Sequence, residues 1–222
     1  MSKVSFPTAR NRAYLDTAAE GLPPTSAETA LAEYWREKGK GTPGRKRHYE
    51  VQAEAEKAVA TMIGASPDDV VLLSNTSDAF NLFAHSIQWK PGDEVLISDL
   101  EFPSGVLVWL RLRHLGVKVV IVESVNGETH LEHWTSRITE RTRVVCVSQV
   151  SYKSGTQVPF LEQLGQAAHQ AGALFCVDST QALGRVPVNV KGVDFLGSRG
   201  QAKQIKGKST KKLSTGGQYP WF

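Results

Sequence analysis

The stretch RVVCVSQVSYKSGTQVPFLEQLGQAAHQAGALFCVD, residues 143–178, decides the fold class of this chain. Residues 143–148 and 173–177 are short apolar runs typical of buried strands, and residues 160–171 have the apolar spacing of a helix. A strand, a helix and a second strand in this order predict two parallel strands joined by a right-handed crossover.

The same alternation continues on the N-terminal side of this stretch. Short apolar runs predict strands, and stretches of helical periodicity predict helices, the first of them opening with a capping box at Thr25 and Glu28. The predicted strands are 69–74, 94–98 and 117–122, and the predicted helices are 25–35, 49–63, 78–87, 104–115 and 131–138. We therefore predict an α/β fold with three layers, in which helices cover both faces of a mostly parallel sheet of at least five strands.

Composition narrows the class of protein. The chain has 222 residues, of which 41% are hydrophobic and 22% charged, a balance typical of globular domains. No apolar run reaches the roughly 18 residues of a membrane span, and the first residues lack the apolar core of a secretory signal. Two cysteines, Cys146 and Cys176, are too few for a disulfide scaffold, so we expect buried, unreactive thiols and a cytoplasmic location.

Charge divides the chain into unequal parts. Residues 197–222 hold six Lys and Arg and no acid, whereas the remainder holds all 22 acidic residues against 20 basic ones. The basic segment shows neither helical nor strand periodicity, so we predict a disordered basic tail, with nucleic-acid binding as the less favoured alternative. The predicted organisation is an N-terminal arm over 1–24, a partial domain over 25–196 and this tail.

Two glycine-rich motifs do not predict nucleotide binding. Residues 39–44, GKGTPG, match G-x-G-x-x-G, but a predicted helix precedes them and a basic run follows, so we interpret them as a mobile loop. Residues 207–209, GKS, resemble the end of a P-loop, but Ala202 stands where its first glycine would be.

Polar or aromatic residues follow several predicted strands, where ligands bind in doubly wound sheets. Thr76 and Ser77 follow strand 69–74 and open a helix, whose free N–H groups and hydroxyls suit a phosphate. Phe102 follows strand 94–98 and could lie on a flat ligand. Taken singly, these residues could equally be a helix cap and a core side chain.

Asp178 and Gln181 follow strand 173–177 in the same way. A carboxylate there can hold a proton on a heteroaromatic nitrogen, and the amide can bond a neighbouring oxygen, although Asp178 alone could simply cap a turn. A phosphate site, a ring stacker, an acid and an amide together are what pyridoxal phosphate requires.

The chain resembles the class V aminotransferase family, which includes cysteine desulfurases, isopenicillin N epimerase-like proteins and kynureninase. The matching segments are YLDTAA (14–19), NTSDAFNL (75–82), GDEV (92–95), EFPS (101–104), Val150-Ser151 with Gly155, HQAGA (169–173), VDSTQALG (177–184) and VDF (193–195). The resemblance implies the large domain of fold type I pyridoxal-phosphate enzymes, an amino-acid substrate and a homodimer in the intact protein.

The resemblance also assigns roles to the candidate residues. It implies that Thr76 and Ser77 hold the phosphate, that Phe102 stacks on the ring, and that Asp178 and Gln181 bind the pyridine nitrogen and the phenolic oxygen.

The resemblance weakens after residue 196. The family's Schiff-base lysine falls at position 202, which is alanine here, so we assign no catalytic residue. Lys203 lies one residue after the expected position, and Lys153, on the loop after strand 143–148, is a less favoured candidate to replace the Schiff-base lysine. The change at residue 197 fits a frameshift, a splice variant or a vector junction, and these stay open. The sequence thus predicts the N-terminal part of a pyridoxal-phosphate enzyme, incomplete in its large domain; the alternative is a truncated, non-catalytic interaction protein, possibly acting through its tail.

Overall fold

The computed structural model describes residues 6–9, 11–198 and 201–204, the last four by their backbone. The helices are α1 (Thr25–Gly39), α2 (Thr42–Ile63), α3 (Thr76–Ser86), α4 (Ser104–Arg111), α5 (Leu131–Thr135) and α6 (Leu161–Gln170). The strands are β1 (Glu94–Ser98), β2 (Lys118–Val122), β3 (Thr142–Ser148), β4 (Leu174–Asp178), β5 (Phe195–Ser198) and β6 (Gln201–Gln204). Short 3₁₀ turns occur at Pro7–Ala9, Pro67–Asp69 and Leu112–Leu115.

The six strands form one sheet in the order β2-β1-β3-β4-β5-β6. The pairings from β2 to β5 are parallel, and only the β5–β6 pair is antiparallel. This confirms the predicted α/β class and the mostly parallel sheet, because parallel neighbours require crossover connections.

Helices cover both faces of the sheet, as predicted. One apolar cluster joins α2, α5 and α6 to the first face, and a second joins α3 and α4 to the other. Alternate residues of β3 enter the two clusters: Val145 and Val147 enter the first, and Val144 and Cys146 the second. Strands buried on both faces explain why these segments are continuous apolar runs.

The predicted strand at 69–74 is wrong. Pro67–Asp69 forms a 3₁₀ turn, and within residues 70–74 only Val71 carries an isolated bridge. Val70 is nevertheless buried in the first apolar cluster. An apolar run can therefore be buried by packing alone, without joining a strand ladder, and sequence periodicity does not distinguish the two cases.

The sheet continues past the predicted boundary at residue 197. Residues 197 and 198 belong to β5, and residues 201–204 form β6, which pairs with β5 from Phe195–Gln204 to Ser198–Gln201. The described part of the predicted tail, residues 197–198 and 201–204, is thus strand in the structure. Backbone hydrogen bonds between neighbouring strands do not depend on the side-chain pattern, so the periodicity of the sequence did not predict these two strands. Residues 205–222 lie outside the described residues.

The segment interpreted as a mobile loop, residues 39–44, is instead a tight connection between two helices. Only Lys40 and Gly41 separate α1 from α2, and Gly41 has a φ of 67°. A Cβ on Gly44 would lie 1.8 Å from the carbonyl oxygen of Glu37, so the two helices approach too closely for any side chain. Gly44 therefore serves helix packing, and Gly41 serves the turn between the two helices.

The predicted capping box of α1 is also wrong. Thr25 is the first residue of the helix, Pro24 occupies the N-cap position, and no side-chain hydrogen bond caps this end. Proline has no N–H and a fixed φ, so it can precede a helix without a capping side chain.

Strand β2 forms one edge of the sheet. Arg137 Nη1 donates a hydrogen bond of 3.0 Å to the backbone oxygen of Ile121 in this strand. Asp99 N donates to Val122 O on the β1 side, so the oxygen of Ile121 faces outward, where another chain could otherwise pair. The guanidinium thus blocks part of the exposed edge.

The two cysteines lie opposite each other on β3 and β4, and both are free and buried, as predicted. Burial raises the pKa of the Cys176 thiol well above its ordinary value, which keeps it unreactive. Within the described ranges, no helix has both the length and the apolar character needed to cross a membrane.

Candidate active site

A cleft of about 650 Å³ opens at the carboxyl ends of the parallel strands. All five residues that the sequence singled out line it: Thr76, Ser77, Phe102, Asp178 and Gln181. The loop before α3 and the ends of β1, β3 and β4 thus bring together side chains as much as 105 residues apart in sequence, as expected for a parallel sheet.

Thr76 and Ser77 are the first two residues of α3. The preceding residue, Asn75, caps the helix by accepting a hydrogen bond of 2.9 Å from Asp78 N, and Asp78 in turn accepts from Ser74 and Asn75 side chains. Because Asn75 performs the capping, the hydroxyls of Thr76 and Ser77 are left to line the cleft. The positive end of the helix dipole there favours an anion.

Glycine 197 lets this helix end come close to the sheet. A Cβ at this position would lie 3.4 Å from Thr76 Cγ2 and 3.2 Å from the ring of Phe80. The small residue on β5 therefore helps to set the position of the threonine.

Asp178 is a buried acid at the end of β4, with only 5% of its surface exposed. Thr180 N donates to its Oδ1 at 2.8 Å, and no cation pairs with it among the described residues. Burial raises the pKa of this carboxyl, and the hydrogen bonds from Thr180 oppose the rise. A cationic group entering the cleft would compensate the buried charge, so Asp178 fits the protonated ring nitrogen of a pyridine cofactor.

Phe102 is not a core side chain, because 48% of its surface is exposed. Its ring meets that of Tyr152 edge to face, with 5.0 Å between the ring centroids and 80° between the planes. Tyr152 also lines the cleft and was not among the predicted site residues, although its place shortly after β3 is the signal used for the others. The two rings form an aromatic wall suited to a flat ligand.

Gln181 holds the N-terminal arm. Its Nε2 donates a hydrogen bond of 3.0 Å to Ala18 O, and Arg185 Nη2 donates one of 2.7 Å to Thr17 O. These two bonds place Ala18 and Ala19 in the wall of the cleft. One N–H of the Gln181 amide is therefore used by the protein, and the second is left for another acceptor.

The lysines considered from the sequence are arranged differently. Lys153 Nζ donates to Asp99 O at 2.6 Å and does not line the cleft. Lys203 belongs to β6, where its backbone pairs with Leu196, and Ala202 pairs with Gly197. Among the residues whose side chains the structure describes, no lysine lines the cleft.

Comparison with known sequences gives one family over most of the chain. The family described as Aminotransferase class-V matches residues 13–203. A probable cysteine desulfurase of Methanothermobacter thermautotrophicus is 34% identical over 86% of this chain and 49% of its own length. The uncharacterized aminotransferase YcbU of Bacillus subtilis is 29% identical over 91% of this chain and 54% of its own. The chain thus spans about half the length of the curated relatives it matches.

Solved structures show the same architecture. The apo cysteine desulfurase of Thermococcus onnurineus aligns with a TM-score of 0.82 and 28% identity, over 92% of this chain and 56% of that one. A mutant of the lyase C-DES, with glycine covalently linked to its PLP cofactor, aligns with a TM-score of 0.84 and 17% identity, over 93% of this chain and 60% of that one. The latter likeness concerns the fold alone.

Proposed function

The chain belongs to the class V aminotransferase family, and on this basis we propose that it is the N-terminal part of a pyridoxal-phosphate-dependent enzyme that acts on an amino acid. The observation that carries the proposal is Asp178, a buried acid in the cleft with no cation partner among the described residues. Relatives named as cysteine desulfurases and an aminotransferase support the same class of chemistry.

Each side chain of the cleft has a separate task in this proposal. Asp178 holds a proton on the ring nitrogen, and the hydroxyls of Thr76 and Ser77 bind the phosphate at the helix end. Phe102 packs on the face of the ring. Gln181 donates its second N–H to the phenolic oxygen while its first holds the arm.

The chemistry that pyridoxal phosphate supplies, when bound, is the withdrawal of electrons from the α-carbon of an amino acid. The part of this chain in the reaction is to orient the cofactor and to keep its nitrogen protonated through Asp178. Because position 202 is alanine, we expect the 222-residue chain to bind the cofactor weakly and without a stoichiometric covalent bond.

The intact protein forms a homodimer, as the family resemblance implies, and it acts in the cytoplasm, which the two free cysteines favour. We do not expect nucleic acid to be its ligand, because the basic excess lies in residues 197–222, whose sequence has neither helical nor strand periodicity.

The test is equilibrium binding of pyridoxamine phosphate to the 222-residue chain, since this probe cannot bond covalently to a lysine. Pyridoxamine, which lacks the phosphate, is the matched ligand control. We expect the phosphate to improve affinity and Asp178→Asn to reduce it about tenfold or more, the value of a charged hydrogen bond. Ser77→Ala should remove part of the preference for phosphate, whereas Ser136→Ala, on the exposed end of α5, should change nothing.

Two results would overturn the proposal. One is equal affinity for pyridoxamine and pyridoxamine phosphate, and the other is binding that Asp178→Asn leaves unaltered. The absence of any binding would favour the alternative, a non-catalytic interaction protein. Borohydride reduction with pyridoxal phosphate, followed by peptide mapping, tests the covalent expectation separately: a stoichiometric adduct on Lys203 would contradict it.

A further inference from the structure

Glu101 is a second buried acid beside the cleft, and none of the roles above uses it. It follows β1, and only 4% of its surface is exposed. Its Oε1 accepts hydrogen bonds from Ser98 Oγ at 2.7 Å and from Ser148 N at 3.1 Å, and its Oε2 accepts from Ser148 Oγ at 2.5 Å. The carboxylate thus joins the last residue of β1 to the last residue of β3.

The sheet needs this link because two of its strands separate at the cleft. The β1–β3 pairing extends only to Leu96 and Val145, whereas the β3–β4 pairing continues to Ser148 and Asp178. Beyond Val145, the N–H of Ser148 therefore has no partner on β1. The carboxylate of Glu101 accepts from it instead, in place of a strand carbonyl.

This arrangement connects Glu101 to Asp178 through one residue. Ser148 lies directly opposite Asp178 in the ladder, and Gln149 N donates to Asp178 O at 2.9 Å. Ser148 also lines the cleft. Ser148 and Gln149 thus contact the backbone of Asp178 on one side, and Glu101 binds Ser148 on the other.

The charged surroundings of Glu101 are acidic. Burial raises its pKa to about 7, the hydrogen bonds from Ser148 and Ser98 oppose the rise, and the charge of Asp178 adds to it. The buried thiols of Cys146 and Cys176 also lie within its field. Glu101 lines a second cavity, of about 240 Å³, together with the exposed Glu128 and His130. No described cation pairs with it, so its carboxyl exchanges a proton near neutral pH.

We propose that Glu101 is a positioning residue, which ties the separating ends of β1 and β3 together and, through Ser148, holds Asp178 in its place at the floor of the cleft. The part that concerns ligand binding rests on the proposed function, whereas the tie itself is a property of the unliganded chain. Glu101 does not itself line the cleft, so it acts only through its neighbours, above all Ser148.

Three variants separate this role from a general effect of burial. Glu101→Gln keeps an acceptor for Ser148 N and Ser98 and an amide to meet Ser148 Oγ, but it cannot titrate. Glu101→Leu removes every hydrogen bond at similar size. The matched control is Glu94→Gln, which alters a second buried glutamate at the opposite end of β1, where it contacts Thr139 and Arg141.

The first measurement uses the unliganded chain. The NMR chemical shift of the Ser148 amide proton should change with pH around a midpoint near 7 in the unaltered chain and in Glu94→Gln. It should be independent of pH in Glu101→Gln. A merely structural role would not produce a titration that Glu101→Gln abolishes. Absence of the titration in the unaltered chain, or its persistence in Glu101→Gln, would overturn the proposal.

The second measurement is the affinity for pyridoxamine phosphate. Glu101→Leu should bind at least tenfold more weakly, while Glu101→Gln at pH 6 and Glu94→Gln should stay within about threefold of the unaltered chain. Equal affinity of Glu101→Leu and the unaltered chain would overturn the proposal. If the unaltered chain does not bind the probe, the proposed function fails, and the Ser148 titration alone tests the link between β1 and β3. That titration also remains decisive if Glu101→Leu does not fold, because it does not use this variant.

Discussion

Replacing Glu101 by glutamine should remove a large part of the dependence of stability on pH. The pKa of Glu101 is raised from 4.5 to about 7 in the folded chain because burial disfavours its ionised form. Between these two values the folded chain binds one proton more than the unfolded chain at this residue. The free energy of unfolding therefore falls as the pH rises from about 4.5 to about 7, and Glu101 contributes no further change above that range.

The size of the effect follows from the shift in pKa. Each unit is worth about 1.4 kcal/mol, so Glu101 lowers the free energy of unfolding by about 3 kcal/mol across the whole range. Domains of this kind have total stabilities of about 5–15 kcal/mol, so the loss would be a substantial fraction. Glutamine does not titrate, so over this rise in pH the free energy of unfolding of the variant should increase by about 3 kcal/mol relative to that of the unaltered chain.

Urea unfolding of both chains, at half-unit intervals between pH 5 and pH 8, measures this difference. Most of the gain, at least about 2 kcal/mol, should fall within that interval. Glu94→Gln serves as the control for loss of a buried glutamate elsewhere on β1. If the difference between Glu101→Gln and the unaltered chain is the same at pH 5 and pH 8, the reasoning about burial is wrong.

Two other predictions concern the packing and the edge of the fold. Gly44→Ala should lower the free energy of unfolding by about 1–3 kcal/mol or more, because its Cβ would meet the carbonyl oxygen of Glu37 at 1.8 Å. Calorimetry of Gly39→Ala, where a Cβ would meet nothing, supplies the comparison, and equal midpoints would contradict the close helix contact. Arg137→Ala should speed self-association, because it uncovers the backbone oxygen of Ile121 on the edge strand. Light scattering measures this, Arg137→Lys should behave closer to the unaltered chain, and an unchanged rate in the alanine variant would refute the blocking role.

Sequence patterns predicted the fold class well because a parallel sheet imposes a strong local signal. Strands β1, β3 and β4 are apolar runs buried from both sides, β2 is an apolar edge strand that is only partly buried, and the helices between them have regular periodicity. The pattern failed at β5, Phe195–Ser198, where glycine and serine fill half of a four-residue strand. It also failed at residues 70–73, which are apolar and partly buried but form no strand, since only Val71 carries an isolated bridge.

The site was predictable to the extent that its residues follow strand ends. Phe102 and Asp178 were found because topology alone brings such positions to one edge. Thr76 was found although the strand predicted before it does not form, because it opens a helix. Glu101 also follows a strand end, but an acid at such a position is ordinarily exposed, and only the tertiary structure reveals that two strand ends enclose it. The bond from Gln181 to the arm was equally hidden, since its partner is 163 residues away.

That separation has a consequence for how the cleft is made during translation. Residues 17–19 leave the ribosome early, but their partners, Gln181 and Arg185, follow more than 160 residues later. At a translation rate of about 5–20 residues per second, roughly ten to thirty seconds pass between synthesis of the arm and synthesis of the residues that bind it. A nascent chain halted before residue 181 would carry the N-terminal end of α3 and the aromatic wall, but residues 17–19 would still lack their hydrogen bonds to Gln181 and Arg185. The oldest part of the polypeptide is thus the last to join the cleft.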